Sequence, residues 1–149
     1  MAILQWNNNG YFAHLPELQK LITKISPYYI CLQETRLLIS QTTNLKNFTA
    51  YRKDRLNANN ASGGVAIFAS NNVYSEEIIL QTELEAVAIS TFVPNLCKIS
   101  ICNIYLPPNK TFTKTQLETL LNQLPSPFIL VGDMNSHNTI WGSQDTNTR

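Results

Sequence analysis

Apolar positions along the chain follow two spacings. In HLPELQKLITKIS, Leu18, Leu21, Ile22 and Ile25 recur at the interval of one helical face. Pro16 suits the first turn of that helix, and Pro27 forbids its continuation. A second helix is predicted over TKTQLETLLNQL, where Leu117, Leu120, Leu121 and Leu124 form the apolar stripe. Thr113 and Gln116 fit a capping box at its start. The remaining apolar runs are short. Ile3 to Trp6 and Tyr28 to Gln33 flank the first helix as strands, and Phe128 to Val131 follows the second. Between the helices lie FTAYRKD, GGVAIFAS, VYSEEIIL, EAVAISTFV and CKISICNIY, strand-like and separated by turns such as NANNASGG and PNL. Consecutive strands with short connections pair antiparallel.

These elements predict an α/β fold, a layered αββα sandwich of mostly antiparallel sheets with the helices outside. The domain is expected to be single and to occupy residues 1–149, a length that suits one core. Only a polar loop follows the last strand, so the second half of the sandwich is expected to be incomplete. Unpaired edges and an apolar face would then be exposed.

Composition changes this picture little. Hydrophobic residues make up 44% and charged residues 14%, as in ordinary globular proteins. The net charge of +1 includes no basic tail, so an anionic partner would be held by a local patch, a metal ion or a region outside these residues. Cys31, Cys97 and Cys102 sit in strand-like runs without metal-ligand spacing, which predicts buried, reduced thiols. The start, MAILQWNNNG, lacks the pattern of a secretion signal, and no apolar run approaches the roughly 20 residues that span a bilayer. A soluble intracellular protein without a membrane partner is expected.

The chemistry gathers at strand ends. Trp6 gives way to Asn7, Gln33 to Glu34, Ile104 to Tyr105, and Val131–Gly132 to Asp133 and Asn135. Ligand sites in α/β folds collect at such ends, where loops carry side chains on a rigid base. If these tips meet, two carboxylates, two carboxamides and a phenol share one cleft. Hard oxygen donors of this kind suit Mg²⁺, which keeps most of its waters and is completed by substrate phosphate. No Cys/His cluster suits zinc, no Ser–His–Asp arrangement occurs, and Ser62–Gly64 reads as a hairpin turn rather than a nucleotide loop. From residue types alone, metal-assisted hydrolysis of a phosphate ester leads.

LQWN, LQET, NIYLPPN and VGDMNSHNTIWGS, in that order, resemble the motifs of the endonuclease/exonuclease/phosphatase superfamily. The resemblance runs from about Ile3 to Ser143 and is closest to the endonuclease domain that non-LTR retrotransposons carry ahead of their reverse transcriptase, a relative of abasic-site endonucleases. It implies a Mg²⁺-dependent DNA endonuclease, with Mn²⁺ as the alternative ion, that nicks target DNA by phosphodiester hydrolysis. Glu34 would hold the metal. Asp133 would orient or deprotonate the attacking water. Asn135 would position that water or a phosphate oxygen, Asn7 would orient the carboxylates, and Tyr105 would donate its hydroxyl to the phosphate. Asn109, His137 and Arg36 would contact DNA, although YLPPN carries one residue more than the shorter form in abasic-site enzymes.

His14 reads as a solvated or capping residue, Lys53 and Arg55 as surface cations able to neutralise phosphate, and Trp141 as a packing residue. The implied partners are DNA and a reverse transcriptase domain on the same polypeptide, in the nucleus for the parent element. The superfamily also carries a later Asp and a final Ser-Asp-His motif, absent from these residues, so the resemblance is to a C-terminally truncated form. Loss of such a charged transition-state stabiliser costs about 10²–10³ in rate. The alternatives are a catalytically inert fragment of such an element, or a phosphodiesterase or phosphatase of another branch.

Overall fold

Each predicted helix forms the crossover between two parallel strands, and this arrangement organises the molecule. The computed structural model describes residues 1–55, 61–92, 97–137, 139–141, 143, 144 and 146. Strand β1 (Ile3–Asn7) leads through helix α1 (Leu15–Ile25) into β2 (Tyr29–Gln33), which lies parallel to β1. Strands β3 (Phe48–Lys53) and β4 (Val65–Ser70) then form an antiparallel hairpin whose second strand pairs with β2. The first sheet has the order β1-β2-β4-β3. Strands β5 (Ser75–Ile78), β6 (Glu85–Phe92) and β7 (Lys98–Tyr105) form an antiparallel meander. Helix α2 (Lys114–Leu121) crosses over to β8 (Phe128–Asp133), parallel to β7, which gives the second sheet the order β5-β6-β7-β8.

Period-two alternation assigns the strand residues to their layers. Tyr29, Cys31, Val65, Ile67, Val87, Ile89, Ile101 and Tyr105 face inward and fill the space between the sheets. Ile30, Leu32, Ala66 and Phe68 face outward beneath Leu18 and Ile22 of α1. Ala86, Ala88, Cys102 and Ile104 do the same beneath Leu117, Leu120 and Leu121 of α2. The fold is therefore the expected αββα sandwich, and among the described residues four of the six strand pairings are antiparallel. Strands β1 and β8 contact one another along one side of the sandwich, and among the described residues neither has a second strand partner.

Local signals behave as their chemistry requires. The Thr113 hydroxyl accepts from the Gln116 backbone N–H while the Gln116 side chain accepts from Thr113 N, which completes the capping box. Helix α1 ends where Ser26 adopts a left-handed conformation ahead of Pro27. Ile25, expected on the apolar stripe, is 41% exposed at the last residue of the helix. Strand β8 runs on through Gly132 to Asp133, two residues beyond its apolar run, because β7 pairs with it as far as Tyr105. The cysteine expectation is corrected at one position. Cys31 and Cys102 are buried, and burial pushes both thiols up to about 12. Cys97 is exposed, because it precedes β7 and lies outside the sandwich. No described helix is long and apolar enough to cross a membrane.

Candidate active site

The two crossover units explain why the polar strand ends meet. Within each unit the strands are parallel, so both C-terminal ends lie at the same edge of their sheet. Stacking the sheets with β1 against β8 and β2 against β7 brings all four ends together. The Asn7 carboxamide, at the end of β1, donates 3.0 Å to Glu34 Oε1 and 2.7 Å to Asp133 Oδ2. The Tyr105 hydroxyl, at the end of β7, donates 2.8 Å to the same Glu34 oxygen. Two carboxylates from different sheets are thus joined through one amide.

The remaining contacts fix orientation. Asp133 Oδ1 accepts from the Asn135 backbone N–H at 3.0 Å, an Asx-turn made possible by the left-handed conformation of Asn135. The Asn135 carboxamide donates 3.0 Å to the Leu106 carbonyl, which ties the loop after β8 to the end of β7. Asp133 is therefore held on both oxygens, one from each side. Burial raises the affinity of Glu34 for its proton, but hydrogen bonds from Asn7 and Tyr105 and the charge of Arg36 outweigh it. Together they hold its carboxyl below the usual range. Burial first, then the hydrogen bond to Glu34 and the charges of Glu34 and Asp133, push the Tyr105 phenol well up. Tyr105 remains a hydrogen-bond donor at any physiological pH.

An open cleft of about 700 Å³ runs beside this cluster, lined by Gln5, Asn7, Asp133, Asn135, Ser136 and His137. His137 thus stands on the same cleft as the catalytic candidates. Arg36 sits 3.6 Å from Glu34 Oε2, half exposed. Asn109 is not part of this cleft. It lines a neighbouring one with Lys53, Arg55, Glu85 and Lys110. Lys53 and Arg55 are not simple solvated cations: Lys53 donates to the Thr82 and Leu84 carbonyls, and Arg55 pairs with Glu85. His14 occupies the N-cap position of α1 without a side-chain cap bond and meets the Trp6 ring edge-on at 5.8 Å. The side chain of Trp141 lies outside the described residues.

The donor set fits a hard divalent cation. Among the described residues no cluster of three or more His, Cys, Asp or Glu side chains could cage a metal. Glu34 and Asp133, linked through Asn7, supply the one or two carboxylates that suffice for Mg²⁺ when substrate phosphate completes the shell.

Beneath the site runs an amide chain, exposed at Gln5 and buried at Gln33 and Asn103, that is absent from the sequence reading. Gln5 donates to Gln33, Gln33 donates to Asn103, and Asn103 donates to the Leu32 and Ala66 carbonyls, at 2.6–2.9 Å. Gln33 precedes Glu34, and Asn103 lies two residues before Tyr105 on the same face of β7, so the chain locks the two strand ends together across the sheets. The available signal was parity: Gln33, Asn103 and Glu85 each fall in step with the inward apolar residues of their strands.

Comparisons with known proteins agree with the fold. Residues 99–149 match the family described as endonuclease-reverse transcriptase. A probable RNA-directed DNA polymerase from transposon X-element of Drosophila melanogaster is 28% identical over 150 residues, covering 100% of this chain and 16% of the relative. The RNA-directed DNA polymerase from mobile element jockey of the same species is 21% identical over 138 residues, covering 93% of this chain and 15% of the relative. The chain thus spans about one sixth of the length of these curated relatives. The solved endonuclease domain of TRAS1, a telomere-specific non-LTR retrotransposon, superposes with a TM-score of 0.74 at 18% identity, covering 98% of this chain and 65% of that one. The 3′-5′ exonuclease NExo from Neisseria meningitidis gives 0.66 at 17%, covering 92% and 59%. An AP endonuclease from Archaeoglobus fulgidus gives 0.61 at 18%, covering 91% and 58%. In fold, in motif order and in the family match of its last third, the chain resembles the endonuclease domains of non-LTR retrotransposons, and its sandwich is that of the endonuclease/exonuclease/phosphatase fold.

Proposed function

We propose that this chain is the DNA-nicking domain of a non-LTR retrotransposon protein and works with Mg²⁺, or with Mn²⁺ in its place. The observation that carries the reading is the Asn7 amide spanning Glu34 and Asp133, with Tyr105 donating to Glu34. Glu34 would hold the cation, with Asp133 beside it. When bound, the cation supplies Lewis-acid stabilisation of charge on the phosphate oxygens.

The protein groups divide the rest of the work. Asp133, held on both oxygens, takes the proton from the attacking water. The water oxygen bonds to phosphorus, the bond to the 3′-oxygen breaks, and that oxygen leaves as a 3′-hydroxyl after taking a proton from solvent. With the cation on Glu34, the Tyr105 hydroxyl would turn from that carboxylate and donate its proton toward the phosphate as negative charge develops. Asn7 keeps the carboxylates apart and aimed, and Asn135 holds the loop against the end of β7. The free 3′-hydroxyl would prime reverse transcription by a polymerase domain on the same polypeptide, a role supported by relatives named RNA-directed DNA polymerases. Such an element would act in the nucleus. His137 and Asn109, each on its own cleft, and Arg36 beside Glu34 would meet the DNA backbone, and binding through backbone contacts would weaken with salt.

A substrate panel tests the assignment. Duplex DNA, single-stranded RNA, an inositol polyphosphate and a nucleoside 3′-phosphate are incubated with the chain and Mg²⁺, with EDTA controls. Cleavage of duplex DNA to ends that a polymerase extends, abolished by EDTA, is expected. Preferential release of inorganic phosphate from the small molecules would move the chain to another branch of the superfamily.

A further inference from the structure

Glu85 is a carboxylate buried at the start of strand β6, only 6% exposed. Acidic side chains are almost never this buried unless paired. Its partners lie in the β3–β4 connection of the other sheet. Glu85 Oε1 accepts from Arg55 Nε at 2.7 Å and also pairs with the second guanidinium nitrogen, and Oε2 accepts from the Gly64 backbone N–H at 2.7 Å. The guanidinium lies flat against Gly63, where a Cβ would come within 2.6 Å of Arg55 Nε.

The same glycine turn grips the loop that carries Glu34. The Thr35 N–H donates 3.2 Å to the Gly64 carbonyl, and the Arg36 N–H donates 2.8 Å to the Gly63 carbonyl. A Cβ on Gly64 would stand 2.7 Å from the Thr35 hydroxyl. The gripped loop is strained: Glu34 has φ +52° and Arg36 φ +50°, both left-handed and neither glycine. Such residues cost about 1–3 kcal/mol each and persist only where their surroundings hold them.

We propose that Glu85 and Arg55 are positioning residues that hold the Gly63–Gly64 turn against the Glu34 loop and so set the affinity of the site for a divalent cation. Neither touches the reacting atoms; both act through the turn. The cation half of this inference rests on the function proposed above, whereas the loop half does not.

Two readouts separate the halves. In Glu85→Gln, amide hydrogen exchange at Thr35 and Arg36 is expected to accelerate at least about tenfold, while the β2–β4 ladder amides keep their rates, since only the turn is released. Mn²⁺ binding to the metal-free chain, followed by electron paramagnetic resonance, is expected to weaken about 10–100-fold, the usual loss when an outer support of a metal ligand is removed. Arg55→Lys keeps the charge but loses the fork and should show the same pattern more weakly, which decides the matter if Glu85→Gln does not fold. Unchanged Thr35 and Arg36 exchange in a folded variant overturns the proposal. So does unchanged Mn²⁺ affinity with accelerated exchange, because the clamp would then be structural only. A wild-type chain that binds no Mn²⁺ overturns the cation half together with the proposed function, and exchange still decides the loop half.

Discussion

Gly132→Ala is expected to destabilise the domain by more than about 3 kcal/mol, beyond the usual range for one added methyl group. Gly132 has φ +150° and pairs with Ile104 of β7. A Cβ there would overlap the Ile104 carbonyl oxygen and stand 2.8 Å from the carbonyl carbon and 2.9 Å from the Ile104 side chain. Backbone in the middle of a ladder cannot step aside as a flexible side chain can. Relief would require β7 and β8 to separate, and that would part Tyr105 from Asp133. Since small domains are stable by about 5–15 kcal/mol in total, such a loss removes a large share of the margin. Gly10→Ala is the control: its φ is +125°, but the nearest atom would be 3.6 Å away, so only about 1 kcal/mol of backbone strain should appear. Equilibrium urea unfolding of the two variants checks both, and equal losses would contradict the close approach of β8 to β7.

Glu34→Gln should leave the fold intact and lower nicking by about 10³-fold. A bound cation contributes several kcal/mol of transition-state stabilisation, and about 1.4 kcal/mol is tenfold in rate. Glutamine preserves the shape and an acceptor for Tyr105 but removes the charge that a cation needs. The substitution also has a signature without metal. The carboxyl of Glu34 is held below its ordinary value of 4.5 in the folded chain, so it binds protons more weakly there than in the unfolded one. Its contribution to stability is therefore present above pH 4.5 and is lost as pH falls through the lowered folded value. The glutamine variant should lose that part of the acid slope, measured by unfolding across pH 3–6. Wild-type nicking retained in the variant would remove Glu34 from the metal site.

Legibility in the sequence followed the range of the interaction. The capping box at Thr113 and Gln116 and the stripe of α2 are local, and the structure reproduces them. The strand ends at Asn7, Glu34, Tyr105 and Asp133 were visible as apolar runs that stop on costly polar residues, and parallel crossovers carry such ends to one edge. Glu85 was hidden because its meaning depends on the stacking of the sheets. Only with β6 facing the β3–β4 connection does its carboxylate reach Arg55 and Gly64. Arg55 and Lys53 read as surface cations for the same reason, since the groups they bind lie about 30 residues away in sequence. Cys97 misled in the opposite direction: it borders an apolar run but precedes the point at which the strand enters the sandwich.

The most direct test is nicking of supercoiled plasmid in Mg²⁺ by the folded chain and by its Asp133→Ala variant, side by side. The expected result is conversion of supercoiled to open-circular DNA by the chain and a loss of about 10²–10⁴-fold in the variant, the usual contribution of a positioned general base. Equal nicking by the two, or none by the folded chain, would contradict the assignment of Asp133 and its neighbours as a working phosphodiesterase site.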